Sequence, residues 1–227
     1  YYFLERGFVY KGLRPVYCCI HDRTSLAEAE VEYEMHTSPS VYVKYALTSD
    51  SAHIDPALVG KKVSTIIWTT TPWTLPASMA VAFHPELDYV GLEANGEVYI
   101  VAEALVESTK QNANLVDLKG AQVIARFKGA RLDRATFQHP FLDRSILGVL
   151  ADYVTIEQGT GAVHTAPSHG ADDFYTGASY GLDQTTRVDE AGRIRHARPA
   201  DEARAVITAK PQATEGPTDH PALPGEA

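Results

Sequence analysis

This sequence predicts a mixed α/β fold with a β-barrel core and peripheral helices. Three observations point there. Short apolar or alternating runs recur at 40–47, 63–68, 79–83, 88–93, 97–101, 121–127 and 146–156, the pattern of many short strands. Only 102–111 and a stretch ending near Tyr180 have helical composition. The connections are irregular and of unequal length, which argues for a closed or strongly curved sheet over regular βαβ alternation.

A length of 227 residues suits one large domain, or one domain with an extension, and can bury a substantial core. Twenty Lys+Arg against 29 Asp+Glu give a formal charge of -9, which argues against a large nucleic-acid surface but leaves room for contact with a strand end. No stretch reads as a signal peptide or membrane span, so no membrane partner is expected and the expected location is cytoplasmic. The two cysteines, Cys18 and Cys19, are adjacent and cannot form a disulfide framework.

Taken in order, residues 1–17 read as a short helix end, a glycine stop and an extended exit through Pro15. Cys18, Cys19, His21 and Asp22 are metal-competent types, but their spacing is too tight for one tetrahedral centre, and no metal site is expected. Residues 26–33 alternate Glu with Ala, Val and Tyr, so a strand with one charged face is expected. A second strand at 40–47 and a polar connection over 50–60 follow. The run 63–68 reads as a buried strand that stops before Pro72, because proline fixes φ and supplies no N–H. Asn95-Gly96 between two apolar runs marks a hairpin whose turn needs positive φ at both residues. The region 128–144 reads as basic and irregular. Its Arg131 and Arg134, with the nearby Arg126 and Lys128, suit either the phosphates of a ligand or a solvated face. Residues 159–174 read as a strand, a proline-bearing loop with two histidines, and a helix start. Asp172 and Asp173 fall in that helix's first turn, where the dipole favours carboxylates, so both are expected to be ionised at pH 7. A further hairpin is expected around Gly192. From Arg195 the chain turns to Ala, Pro, Thr, Glu and Asp, a composition that predicts disorder for 195–227.

Two stretches carry the chemistry. Residues 68–76 read Trp-Thr-Thr-Thr-Pro-Trp-Thr-Leu-Pro and leave three hydroxyls, of Thr69, Thr70 and Thr71, at a strand end. Residues 164–173 supply His164, His169, Asp172 and Asp173. If the two converge, a carboxylate suits a ligand ammonium group, and the hydroxyls suit sugar or carbonyl oxygens or a water. The imidazole is then a base or a wall. There is no G-x-S-x-G elbow, no phosphate-cradling glycine loop and no H-E-x-x-H, which disfavours a serine hydrolase, a dinucleotide site and a zinc hydrolase.

The stretch 68–76 resembles the threonine-rich peptide of the editing domain of isoleucyl-tRNA synthetase. Residues 159–167, Gly-Thr-Gly-Ala-Val-His-Thr-Ala-Pro, followed by His169-Gly170-Ala171-Asp172-Asp173, resemble that domain's second motif. Residues 26–33 and 37–40 are similar to the strand and turn where the editing insertion begins, and the likeness runs from about Gly7 to Gly192. The Thr-Pro-Trp form differs from the arginine-proline pair of the valyl and leucyl enzymes, whose editing domains share the fold.

The resemblance implies hydrolysis of valine wrongly joined to the isoleucine tRNA, the partner being the 3′ end of that tRNA, with valyl-adenylate as a further substrate. One methylene in a synthetic pocket is worth only about 1–3 kcal/mol, so a second hydrolytic sieve is needed. It implies that Asp173 holds the α-ammonium group and that His164 lines the side-chain pocket. Thr69, Thr70 and Thr71 would surround the terminal adenosine, the ester and the attacking water. Trp73 would shape the wall, with Ser78, His169 and Asp172 completing the substrate-binding set. Ser78 stands where the family usually has Asn. No metal, cofactor or covalent nucleophile is implied. Residues 1–17 would be the remnant of a connection to the synthetic domain, 18–194 the editing domain, and 195–227 a tail outside the family pattern. The synthetic domain's nucleotide signatures are absent, so neither isoleucine activation nor ATP binding is expected. The rest of a synthetase becomes a partner if the chain is a fragment. A substrate-binding fragment without turnover is the alternative.

Overall fold

The structure is a computed structural model and describes residues 1–113, 117–194 and 208–210. It contains strands β1 (Cys18–Cys19), β2 (Thr24–Ser25), β3 (Ser40–Leu47), β4 (Lys62–Thr69), β5 (Ala80–Phe83), β6 (Asp88–Ala94), β7 (Glu97–Ala102), β8 (Gln122–Lys128), β9 (Thr136–Gln138), β10 (Ser145–Leu150), β11 (Ala162–Thr165) and β12 (Thr208–Lys210). Helices α1 (Tyr2–Glu5), α2 (Val106–Asn112) and α3 (Ala171–Tyr180) lie among them.

β1 and β2 form a small separate ladder. The main sheet runs in the order β11-β5-β10-β9-β3-β4-β7-β6-β8, with β12 beside β3. It is mixed: β5 pairs with β10 and β4 with β7 in parallel, and the other pairs are antiparallel. The expected closed barrel is not found, since the ladders follow an open path among the described residues. The sheet instead curls on itself just before β11. The Thr160 hydroxyl donates to the Ile66 carbonyl, the Ala102 N–H donates to the Thr160 carbonyl, and the Tyr89 hydroxyl donates to Gly161. Gly161 makes this approach possible. Its φ is +78°, and a Cβ there would overlap that of Ala102.

The core lies inside the curl. Tyr45, Ile67, Leu75, Phe83, Tyr89, Ile100 and Phe137 are fully or almost fully buried in one cluster, each aliphatic contributing about 1.5–3 kcal/mol by leaving water. Ile66, Leu92, Tyr99 and Val101 form a second cluster. Outside it, Glu97 of β7 binds Lys44 of β3 at 2.9 Å and Lys62 of β4 at 2.6 Å, one carboxylate joining three adjacent strands.

Most sequence expectations agree with these elements, and the exceptions have causes. The Asn95-Gly96 turn has φ of +52° and +79°, as its hairpin requires. The expected strand at 26–33 does not form. Glu28–Glu30 is a single 3₁₀ turn, with the Glu30 carboxylate accepting the Ala27 N–H at 2.6 Å. Alternation gave it a strand's pattern, but no neighbouring strand pairs with it. β10 ends at Leu150 because its partner β5 ends at Phe83, so the backbone beyond has no ladder to join. β9 lies within the region read as irregular; at three residues it is too short for periodicity to reveal. The expected hairpin around Gly192 reduces to an isolated bridge between Val188 and Ile194. The disorder expected for 195–227 lies outside the described residues, apart from β12, whose backbone pairs antiparallel with β3.

Candidate active site

The threonine stretch leaves β4 at Thr69 and folds at once into a 3₁₀ turn, Pro72–Ala77. Pro72 occupies the first position of that turn, where a missing N–H costs nothing. Thr69 is buried, and its Oγ1 accepts the Thr71 N–H at 3.1 Å and lies 3.2 Å from Thr71 Oγ1. The two hydroxyls are thus neighbours at the strand end. Thr70 is half-buried, and its carbonyl accepts the Ser38 hydroxyl at 3.0 Å.

β11 brings the second stretch alongside. The Met79 N–H donates to the Thr165 carbonyl at 2.8 Å, and His164 pairs in register with Val81 of β5. The His164 ring is buried between two hydroxyls, with Nε2 3.2 Å from Thr74 Oγ1 and Nδ1 3.1 Å from Ser78 Oγ. Burial first, then the nearby His139 and His169, pushes its pKa down to about 4, so the ring is neutral at pH 7. This favours a wall or hydrogen-bonding role over a cationic one.

Asp173 lies half-buried in the first turn of α3. One of its oxygens accepts the Ala166 N–H at 2.8 Å, and the Tyr153 hydroxyl also bonds it. Burial outweighs those bonds, and with the Asp172 charge adding to it the pKa rises to about 6. Asp173 is thus ionised at pH 7, as its place at a helix start leads one to expect, but it titrates near 6, above the ordinary carboxylate range. Asp172 is exposed, with no direct side-chain bond to the site. Trp73 is half exposed and meets the His169 ring edge-on, with centroids 5.4 Å apart. Ser78, expected to touch substrate, is fully buried behind His164 and also bonds Tyr45 at 3.2 Å.

Thus Thr69, Thr71, Thr74 and His164 converge, and Asp173 lies at the end of the loop that follows β11. Tyr45, His139, Arg144 and Tyr153 were not singled out from the sequence. His139 Nε2 donates to the Leu75 carbonyl at 2.9 Å, and Arg144 donates to the Pro76 carbonyl at 2.7 Å, so both grip the 3₁₀ turn from behind. No local pattern distinguishes such residues from ordinary core. The basic residues that suit phosphate contacts each have a partner: Arg126 pairs with Glu103 and Lys128 with Asp88, Arg131 donates to the Ile54 carbonyl, and Arg134 stacks on Tyr180. Among the described residues, no group of three or more His, Cys, Asp or Glu converges as a metal site, and no helix is long and apolar enough to cross a membrane.

No family model matches the chain. It is 48% identical over 190 residues to isoleucine–tRNA ligase of Desulfotalea psychrophila and 50% identical over 193 residues to that of Geobacter sulfurreducens. Each match takes in 84% of this chain but 20% of the relative, so the chain spans about one fifth of those enzymes. Among solved structures, GlLeuRS-CP1 superposes with a TM-score of 0.50 at 19% identity, covering 64% of this chain and 66% of that one. The editing domain of P. knowlesi cytosolic leucyl-tRNA synthetase superposes with a TM-score of 0.50 at 13% identity, covering 71% of this chain and 70% of that one. The chain is therefore similar in sequence to one segment, about a fifth, of isoleucine–tRNA ligases, and it has the fold of a synthetase editing domain.

Proposed function

We propose that this chain hydrolyses valine from mischarged isoleucine tRNA, and valyl-adenylate as a second substrate, as the proofreading part of a cytoplasmic isoleucine–tRNA ligase. Residues 18–194 are the editing domain, and 1–17 connect to the synthetic domain. The observation that carries this reading is the junction of the two motifs: Thr74 and His164, 90 residues apart, share a hydrogen bond beside the Thr69–Thr71 hydroxyls. Asp173, ionised at neutral pH, accepts the substrate's α-ammonium group. Thr69, Thr70 and Thr71 orient the terminal adenosine, the ester and a water. Neutral His164 forms the floor that admits valine and excludes isoleucine. His169 and Trp73 line the exposed rim, with Asp172 beside them. Ser78 acts from behind His164. Positioning of the water and charge complementarity then supply the rate enhancement.

The test is deacylation of Val-tRNA(Ile) against Ile-tRNA(Ile) by the purified chain, where release of valine alone is expected. A rate no faster than the uncatalysed ester at high protein concentration removes the claim of turnover. The span of one fifth of the relatives favours a second reading, a domain that binds but needs the rest of the synthetase to present tRNA. Saturable binding of a non-hydrolysable valyl-adenosine analogue without turnover supports that reading.

A further inference from the structure

We infer that Tyr45 and Ser78 are specificity-determining positioning residues: through a one-directional hydrogen-bond relay they hold the His164 ring in its Nε2-protonated form and in a fixed orientation. The inference rests on the reading of His164 as the floor of the side-chain pocket.

The direction of the relay follows from counting protons. Thr74 Oγ1 lies 2.8 Å from the Thr71 carbonyl, which can only accept, so the single Thr74 hydroxyl proton is committed there. Towards His164 Nε2, at 3.2 Å, Thr74 can then only accept, and Nε2 must carry hydrogen. A neutral ring with hydrogen on Nε2 leaves Nδ1 bare. The Ser78 hydroxyl, 3.1 Å away, therefore donates to Nδ1. Ser78 has no second proton, so at 3.2 Å from the Tyr45 hydroxyl it accepts and Tyr45 donates. The chain of donors runs Tyr45, Ser78, His164, Thr74, Thr71 carbonyl. All four side chains are buried, so water does not compete for any link.

The elements explain why the relay is rigid. Tyr45 comes from β3, Ser78 from the end of the 3₁₀ turn, and His164 from β11. The ring is gripped at both nitrogens by Thr74 and Ser78 of the one 3₁₀ turn, so it cannot flip without breaking two bonds. Position as well as volume then sets which side chain fits above it.

Long-range ¹H–¹⁵N NMR of the intact chain reads the tautomer directly and without any activity. The expected result is hydrogen on Nε2 and a bare, hydrogen-bonded Nδ1. Hydrogen on Nδ1, or an averaged pair, overturns the inference. In Ser78→Ala the Nδ1 signal should move to its unbonded position. The ratio of Val-tRNA(Ile) to Ile-tRNA(Ile) hydrolysis should fall about fivefold, the size of one buried hydrogen bond. Tyr45→Phe keeps the ring in the core and should lower the ratio by about twofold, with the same sense of NMR shift. It also serves if Ser78→Ala does not fold. Should the wild-type chain lack turnover, the functional reading fails for hydrolysis, and the ratio is read instead from binding of non-hydrolysable valyl- and isoleucyl-adenosine analogues. A ratio equal in wild type and both variants overturns the inference.

Discussion

His164 Nε2 lies 3.2 Å from Thr74 Oγ1, and this contact joins the two motifs of the site across 90 residues of chain. Thr74→Val keeps the shape of the side chain and removes the oxygen. It should leave a buried ring N–H unpaired and cost about 1–3 kcal/mol. The urea midpoint of unfolding measures this, and a midpoint within error of wild type would show that the contact adds nothing to stability.

His164→Ala should instead change what the site accepts. With the floor removed, Ile-tRNA(Ile) becomes a substrate and its deacylation rises about tenfold or more, consistent with the 1–3 kcal/mol that one methylene commands. Unchanged discrimination would sink the role given to this ring.

Asp173 links activity and stability to pH in opposite senses. Its pKa in the fold, about 6, lies above the ordinary 3.8, so the folded state holds a proton that the unfolded state has lost between those values. Stability from this group is present below about 3.8 and is lost as pH rises through 6. Asp173→Asn should therefore raise stability at pH 7 by about 1–2 kcal/mol, an advantage that vanishes below pH 4. The same variant should lose deacylation about 10- to 100-fold, since a charge-assisted bond to the ammonium group is gone. Wild-type activity should rise with pH through about 6, and the variant should lack that limb. A wild-type profile flat between pH 5 and 7 contradicts the assignment.

His139 and His164 act the other way. Burial holds both at about 4, below the ordinary 6.5, so both fold as neutral rings. Their contribution is present above 6.5 and is lost as pH falls towards 4. The chain should weaken on acidification across that window, and a His139→Asn variant, less stable at pH 7, should show a shallower dependence. Denaturant midpoints at half-unit steps of pH test this, and parallel curves for the two proteins would count against it.

Two glycines in one motif should differ in tolerance. Gly161 has no room for a Cβ against Ala102, while at Gly159 the nearest atom, Trp68 Cβ, is 3.5 Å away. Both have positive φ, so each alanine variant pays about 1 kcal/mol of backbone strain. Gly161→Ala should cost about 3 kcal/mol or more through the added clash, and Gly159→Ala only the strain. Equal losses by calorimetry would refute the close approach.

Much of the fold was legible because β3, the β6–β7 hairpin and α3 carry strong local signals: alternation, Asn-Gly, and the carboxylates Asp172 and Asp173 in a first helical turn. The stretch at 26–33 misled because alternation describes a strand's faces and says nothing of whether a neighbour exists to pair with it. Within the site, Thr69 and Thr71 were visible as hydroxyls crowded at a strand end, and Asp173 as a carboxylate at a helix start. Its raised pKa was not, since that depends on what buries it. Tyr45 and His139 were hidden for the same reason. A tyrosine in a strand and a histidine before a proline become informative only when β3 and the β9–β10 turn are packed behind the threonine stretch.

The stitch that Thr160 and Gly161 make to Ile66, Ala102 and Tyr89 has a consequence for how the protein is made. Every bond in it spans a long stretch of chain, and closing such separations is the slow, entropically costly part of folding. During synthesis from the amino terminus, β3, β4, β6, β7 and β8 can associate first, while the Tyr45 hydroxyl has no His164 relay to feed. Only after β11 has left the ribosome can the two halves meet. A nascent chain that exposes nothing beyond Gly159 should thus contain these five paired strands and no Thr74–His164 contact.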